Sequence, residues 1–252
     1  AQMLRFAARR SPWVRNLLRR IMPNLNREDQ GVPTPQVPDF RVSVPFKLPL
    51  PENKTSRWGL LLPISSRGAL EEECWTALKA FSDSLLASTS TEDRSEISVF
   101  VGIDEGDVVY DNRVADERLR GLFAASNLAG LHFFRFTPAY SGKLCWIWDA
   151  LARAAVEAGS DFFVLLGDDI DLKTEGWKRE IEGQFEQISR EQQLPFGVAC
   201  VAFRDEAFPV FPTFPVLHRT HFHIFGELFP SEFVNQHGDP YLFEVYRRWG
   251  AS

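Results

Sequence analysis

From residue 58 onward, short apolar runs alternate with longer stretches in which apolar residues recur every three or four positions. The runs are typical of strands buried on both faces, and the stretches are typical of amphipathic helices. Because strands that alternate with helices form parallel sheets, the pattern predicts an α/β domain with a mainly parallel sheet. We predict strands over residues 58–63, 96–103, 131–136, 162–166 and 197–203, and helices over 69–87, 116–126, 144–158, 175–189 and from 239 onward.

The first 56 residues follow a different pattern. Apolar and arginine residues between Leu4 and Met22 fit a short amphipathic helix, and the prolines of residues 31–52 predict an extended linker. We therefore divide the chain into an arm over residues 1–56 and a domain over residues 57–252. The basic helix suits docking on a protein partner or an anionic membrane surface, resembles an organellar transit peptide, or packs on its own domain.

Charge divides the chain in the same place. Seven arginines and no acid fall within residues 1–27, so a net charge of −6 for the whole chain leaves −13 for the rest. An acidic body of this kind does not suit nucleic-acid binding. The three cysteines lack metal-ligand spacing, and no apolar run is long enough to span a bilayer. A glycosylation sequon at Asn53 is informative only in a secreted protein.

Aromatic residues are abundant, with 22 phenylalanines and seven tryptophans. Many of them fall within residues 208–233, where periodicity is weak. These rings could form a platform for a sugar, because aromatic faces pack on the apolar faces of pyranoses. Burial in the core explains the same composition.

The strand predicted over residues 162–166 runs into three acids, Asp168, Asp169 and Asp171. Carboxylates this close repel one another unless a cation or hydrogen bonds offset the repulsion. Oxygen ligands suit Mg²⁺ or Mn²⁺, which in turn bind phosphate oxygens. Since open α/β sheets bind ligands at the carboxyl ends of their strands, we predict a metal and phosphate site here. A solvated acidic loop that caps the next helix explains the same residues without a ligand.

Three further residues carry candidate chemistry. Lys143 follows Gly142 at a predicted helix start, where backbone N–H groups favour phosphate, and a solvated lysine is the alternative. Asp104 closes a predicted strand, although the sequence after it also favours a simple turn. Asp239 precedes Pro240, a pattern that predicts a helix N-cap and explains the residue without catalysis.

Taken in order, these pieces resemble a GT-A glycosyltransferase, the fold that uses nucleotide sugars and an Asp-x-Asp metal motif. The similarity extends over about residues 57–252 and implies a GT-A-like fold, with a mainly parallel Rossmann-like sheet flanked by helices. The matching residues are Pro63 and Arg67 after the first strand, Asp104 after the second, Gly142-Lys143, the segment 167–171, and the tail segments 215–221 and 235–240.

The resemblance implies a role for each matched position. Asp169 is the first metal ligand, Asp171 ligates directly or through water, and His221 completes the shell of Mn²⁺ or Mg²⁺. Asp239 is the candidate general base, with Glu227 as the alternative. The residues implied in contacts with the nucleotide sugar are Pro63, Arg67, Asp104, Lys143 and Asp168. Metal coordination by His218, His223 or His237 is also possible, but a buried, hydrogen-bonded structural role is the favoured explanation for these three.

The sequence therefore predicts a metal-dependent glycosyltransferase that moves a hexose or pentose from a nucleoside diphosphate sugar to a glycan, protein or lipid acceptor. A catalytically silent GT-A-like subunit, anchored in a larger assembly by its arm, is the alternative. A nucleotidyltransferase is a third, although the chain has no Gly-x-x-x-x-Gly-Lys phosphate loop. The resemblance suggests the lumen of the secretory pathway, and the arm suggests an organelle.

Overall fold

The computed structural model describes residues 56–124, 126–207, 212–235 and 237–252. The amphipathic helix, the linker and the sequon predicted from the sequence lie outside these ranges. The strands are β1 (Trp58–Ile64), β2 (Ile97–Asp104), β3 (Gly130–Phe136), β4 (Phe162–Leu165), β5 (Cys200–Arg204) and β6 (Pro212–His218). The helices are α1 (Glu71–Ser88), α2 (Thr91–Arg94), α3 (Arg113–Phe123), α4 (Leu144–Glu157), α5 (Trp177–Gln192), α6 (Thr220–Phe225) and α7 (Gly238–Arg247).

The strands form one six-stranded sheet in the order β3-β2-β1-β4-β6-β5. Parallel pairing joins β3, β2, β1 and β4, and β6 runs antiparallel to both β4 and β5. The predicted α/β class, with a mainly parallel sheet flanked by helices, is confirmed. The sequence did not predict β6, because its Phe- and Pro-rich residues give neither a clear alternation nor a helical spacing.

Helices cover both faces of the sheet. On one face, Gly59 and Gly102 let α4 approach closely: an added Cβ would lie 2.9 Å from the Ala155 Cβ and 3.0 Å from an Ile147 methyl carbon, respectively. On the other face, Trp58 packs edge-on against Trp177 of α5 at 5.3 Å between ring centroids. Successive residues of a strand point to opposite faces, so β1 is buried from both sides.

Pro63 sets the point at which β1 and β4 separate. The Leu61 carbonyl accepts a hydrogen bond from the Leu166 N–H, so Leu61 and, two residues on, Pro63 face β4. Proline has no N–H to continue this ladder, and the Leu166 carbonyl accepts instead from the Trp148 indole N–H at 3.2 Å. The gap beyond this point is the topological switch point, because β1 is followed by β2 on one side of it and β4 is followed by β5 and β6 on the other side.

A buried ion cluster lies at the opposite end of the sheet from the switch point, near the start of β2. Lys178 of α5 is 4% exposed. Its ammonium contacts carboxylates of Asp93 at 3.4 Å and Glu182 at 3.8 Å, and it also pairs with Glu96. This cluster ties α5 to the segment that leads into β2.

One helix start differs from the prediction. Helix α7 begins at Gly238, and its N-cap is His237, with φ 71°. Asp239 therefore lies inside the first turn and is not the N-cap. Among the helices that the structure describes, none is both long enough and apolar enough to cross a membrane.

Candidate functional site

The ends of β1, β2 and β4 meet at the switch point and carry most of the polar residues singled out in the sequence. The segments that follow these strands are residues 65–68, 105–107 and 167–171. Parallel strands bring their carboxyl ends to one edge, so these segments surround a common opening.

Asp107 ties the first two segments together. One carboxylate oxygen accepts from the Ser66 N–H at 2.7 Å and the Ser65 hydroxyl at 3.4 Å. The other oxygen accepts from the N–H groups of Val109 and Tyr110, both at 2.9 Å. Burial alone would raise the pKa of Asp107, but these hydrogen bonds outweigh it and hold the pKa below its usual value. Asp107 is therefore a carboxylate that locks the loops after β1 and β2.

A second ion-pair network supports the same loop from β3. The Arg135 guanidinium donates to Asp111 at 2.8 Å and to Asp116 at 2.6 Å. Asp111 in turn accepts from the Gly106 N–H at 2.8 Å. The loop after β2 is thus held at both ends, which preorganises the residues at the switch point.

Asp104 at the end of β2 holds a polar atom with no partner. Its Oδ1 is buried and makes no hydrogen bond within the described part of the chain. A buried carboxylate oxygen left unpaired costs free energy, so such an atom at a ligand edge suggests a donor supplied from outside the protein. Base or ribose hydroxyl and amino groups are donors of this kind.

Asp168 faces the loop after β1. Burial raises the pKa of Asp168, and the neighbouring Asp169 raises it further. The Arg67 guanidinium and the Ser65 N–H act in the opposite direction without offsetting the burial. Arg67 is therefore near enough to act on the charge of Asp168.

Asp169 and Asp171 line a cleft of about 890 Å³. The cleft runs from the segment after β4 past β5 and reaches α7, where Asp239 contributes to the wall. Its volume lies within the range of small-molecule sites in proteins, roughly 300–1,000 Å³. The two acids proposed as metal ligands and the acid proposed as general base thus share one space.

Asp239 is partly buried, and one of its carboxylate oxygens is fully buried with no partner in the described part of the chain. Its Oδ1 has no hydrogen bond inside the described ranges, and burial raises the pKa of Asp239 to about 6. Negative charge on Asp239 helps to raise the pKa of the neighbouring Cys145 and Cys200 thiols, in each case after burial itself. A carboxyl group with a pKa near neutrality can take up a proton during a reaction.

His221 and Glu227 lie outside this cleft. The His221 Nδ1 is 2.8 Å from the Tyr246 hydroxyl, and its Nε2 is 3.2 Å from the Leu228 carbonyl oxygen. Both ring nitrogens are engaged, so metal binding would require one of these bonds to break. Burial lowers the pKa of His221 to about 4, which keeps the ring neutral. Glu227 sits next to Leu228, and its charge helps to raise the pKa of Tyr241 after burial.

Lys143 caps the start of α4. Its ammonium lies 4.0 Å from the centre of the Trp146 ring, a cation–π contact. The lysine does not line the cleft, and its partner in the fold is an aromatic face rather than a carboxylate.

A divalent ion fits the site only as one shared with a ligand. No three His, Cys, Asp or Glu side chains converge on one point in the part of the chain that the structure describes. Mg²⁺, however, is usually held by one or two carboxylates together with substrate phosphates. Asp169 makes no hydrogen bond or ion pair with another described residue, and Asp171 lines the same cleft. These two carboxylates are therefore the candidate ligands for such an ion.

The sequence gives no signal for two features of this region. Asp107 lies in the segment after Asp104 that favours a simple turn, and only the fold shows that its carboxylate reaches the loop after β1. Phe214 was one of many aromatics within residues 208–233, and no sequence signal marks its backbone, which has φ 51°.

The fold is an α/β domain with a group of acidic side chains at its switch point. No family model matches the chain, and no curated protein matches it. Among solved structures it is similar to mouse xyloside xylosyltransferase 1 in its apo form, with 12% identity, a TM-score of 0.34, and coverage of 60% of this chain and 53% of that one. It is also similar to S. aureus TarS 1–349 in complex with UDP-GlcNAc, with 10% identity, a TM-score of 0.37, and coverage of 67% and 47%.

The chain thus spans about half the length of the two solved structures. One of them is named a xylosyltransferase, and the other is a complex with UDP-GlcNAc. At these identities and TM-scores the likeness carries no argument about function.

Proposed function

We propose that this domain binds a nucleoside diphosphate sugar at the switch point between β1 and β4 and transfers the sugar to an acceptor in the adjoining cleft. The observation that carries the proposal is the buried, unpartnered Oδ1 of Asp104 at the end of β2. A ligand that donates to this oxygen would lie beside loops that Asp107 already holds in place. The acids of residues 168–171 supply the phosphate side of the same site.

The proposed nucleotide sugar extends from the end of β2 to the segment after β4. Asp104 accepts hydrogen bonds from the base or ribose. Asp168, held beside Arg67, lies toward the ribose and phosphates. A divalent ion held by Asp169 and Asp171 would, when bound, neutralise the charge that grows on the leaving diphosphate.

Transfer forms a bond from an acceptor hydroxyl oxygen to the anomeric carbon and breaks the bond from that carbon to the diphosphate oxygen. The diphosphate leaves with the electron pair, and the hydroxyl proton passes to the carboxylate of Asp239. Asp239 suits this role because it is buried in the cleft wall and its pKa is raised to about 6. Since the base must be ionised, we expect the rate of transfer to rise with pH through about 6.

Calorimetric titration of the protein with UDP and with GDP, each with and without Mn²⁺, tests the donor site. We expect one of the two nucleotides to bind, and to bind more tightly with the ion. The Asp104→Asn variant should lose about tenfold in affinity, because an amide cannot replace a carboxylate that accepts two hydrogen bonds.

The matched control is Glu105→Gln, which neutralises the next residue, an exposed side chain. It should bind as the original chain does. No binding of either nucleotide to folded protein would contradict the proposal and leave the silent-subunit alternative in its place.

A further inference from the structure

Two aromatic side chains line the cleft beside Asp239 without packing in the hydrophobic core. Phe214 of β6 and Phe243 of α7 both line the cleft and are both half-buried. Neither belongs to the hydrophobic core or to the partly buried side chains that pack against it within the described ranges. Neither has an aromatic neighbour in the same part of the chain, although ring contacts are common elsewhere in this protein.

The backbone of Phe214 is unusual for a bulky residue. Ala202 pairs with Pro215 and Phe203 pairs with Thr213, so Phe214 is the extra residue of a β-bulge. Its φ of 51° lies in the left-handed region that favours glycine. Bulges near ligand sites redirect a side chain, and strain of this kind persists where the surrounding structure holds it. The strain here directs an aromatic side chain into the wall of the cleft.

Charge restricts what the cleft accepts. Its walls carry six acidic side chains and only two basic ones, and four acids remain when Asp169 and Asp171 hold the proposed ion. One of the two cations, Lys173, is paired with Glu206 at 2.6 Å. An anionic ligand would meet net negative charge, whereas a neutral ligand with hydroxyl groups meets carboxylate acceptors.

From these observations we infer that the cleft is the acceptor site and that its acceptor is a neutral pyranoside, which rests an apolar sugar face on Phe214 and Phe243. Carboxylates in the walls accept hydrogen bonds from the sugar hydroxyls, and one hydroxyl lies at Asp239. This inference rests on the proposed function and adds the class of acceptor to it. Phe214 is a specificity-determining residue, because it touches the acceptor and takes no part in proton transfer.

Saturation-transfer NMR with Mg²⁺ and, in parallel samples, UDP or GDP tests this inference on the 252-residue chain. The probes are methyl pyranosides of glucose, galactose, mannose, xylose and N-acetylglucosamine, with methyl glucuronide as the anionic counterpart of the glucoside. We expect at least one neutral pyranoside to bind through ring protons of one face. The glucuronide should bind about tenfold or more weakly than the glucoside in the same sample.

The informative variant is Phe214→Gly. Glycine adopts a positive φ without strain, so the fold should keep its melting temperature to within about 2 °C, whereas pyranoside binding should fall about tenfold or more. Phe225→Leu is the matched control, since Phe225 is 36% exposed, stacks on Trp249 and does not line the cleft. It should leave pyranoside binding unchanged.

The outcomes separate this inference from the proposal beneath it. If UDP or GDP binds but no neutral pyranoside does, or if Phe214→Gly binds pyranosides normally, the acceptor assignment is overturned and the donor site stands. Glucuronide binding equal to that of glucoside overturns it as well. If neither nucleotide nor sugar binds, both proposals fail together.

Discussion

Buried aspartate oxygens in this protein differ in whether they have hydrogen-bond partners. Asp239 and Asp104 each carry a buried carboxylate oxygen with no protein partner in the described part of the chain. Asp107, in contrast, has both oxygens hydrogen-bonded. The same residue type thus serves as a structural tie where donors surround it, and as a candidate reactive group where they do not.

Replacement of Asp239 by asparagine should change the pH dependence of stability. Burial raises the pKa of this carboxyl from 3.8 to about 6, so the folded state holds the proton more tightly than the unfolded state. Its contribution to stability is therefore full below pH 4 and is lost as the pH rises to 6. The whole loss amounts to about 3 kcal/mol. Urea unfolding of Asp239→Asn at pH 4 and pH 8 measures it.

The asparagine variant should lack this contribution, so its stability relative to the original chain should be higher at pH 8 than at pH 4. The control is Asp83→Asn, whose side chain is 61% exposed in its pair with Lys79. That variant should keep the original profile. An unchanged profile in Asp239→Asn would contradict the burial of a titrating group at this position.

At the scale of elements, the alternating pattern predicted the parallel half of the sheet well. Strands β1 to β4 and helices α1, α3, α4 and α5 all fall within a few residues of the predicted ranges. The reason is physical, because buried parallel strands read as continuous apolar runs between amphipathic helices. Strand β6 gave no such signal, since Pro212, Pro215 and the bulge at Phe214 interrupt the alternation.

The site was predictable in part. Acids at strand ends are visible in the sequence, so the edge at which they meet could be predicted. The partners of Asp107, the hydrogen bonds of His221 and the cleft shared by Asp169 and Asp239 depend on contacts between residues far apart in the chain. No local pattern contains that information.

Asp107 should couple the loops after β1 and β2. In Asp107→Asn the amide NH₂ group replaces an oxygen that accepted hydrogen bonds, so it faces N–H or O–H donors. We therefore expect a loss of about 2 kcal/mol in the free energy of unfolding. Burial raises the pKa of Asp107, but hydrogen bonds outweigh it and lower the pKa below its usual value. The carboxylate therefore contributes stability that is lost as the pH falls through this lowered pKa. Urea unfolding at pH 7 checks the loss, and Glu105→Gln, an exposed neighbour, should show none.

At the end of the sheet opposite the switch point, replacement of Lys178 should lower the free energy of unfolding most. Lys178→Met removes the cation that Asp93, Glu96 and Glu182 share and leaves their charges uncompensated. We expect a loss of about 3–5 kcal/mol in the free energy of unfolding, as for other broken buried pairs.

The control for this ion cluster is Lys79→Met, which breaks an exposed pair with Asp83 on α1. Exposed pairs of this spacing contribute about 0.3–0.5 kcal/mol, so thermal unfolding should separate the two variants clearly. Equal effects in both would mean that the buried cluster contributes nothing beyond a surface pair.

For the whole molecule, two buried histidines should govern acid unfolding. Burial lowers the pKa values of His218 and His221 to about 4, so the folded state holds both rings neutral. The unfolded state binds more protons between pH 6.5 and 4, and stability should therefore fall as the pH falls through that window. Asp239 acts in the opposite direction over the same range.

Urea unfolding at steps from pH 4 to pH 8 tests this balance. The original chain should still lose stability toward low pH, because the two histidines outweigh the single carboxyl that opposes them. Asp239→Asn should show a steeper loss toward low pH, and His218→Phe a gentler one. Identical profiles in all three proteins would rule out buried titrating groups as the cause.

Hydrogen–deuterium exchange with mass spectrometry tests the central claim most directly, since it locates the ligand as well as detecting it. The claim is that a nucleoside diphosphate occupies the switch point between β1 and β4. With UDP or GDP and Mg²⁺ added, we predict slower exchange in residues 65–70, 104–111 and 167–173, and little change in α3. Protection confined to other segments, or none at all with folded protein, would contradict the account.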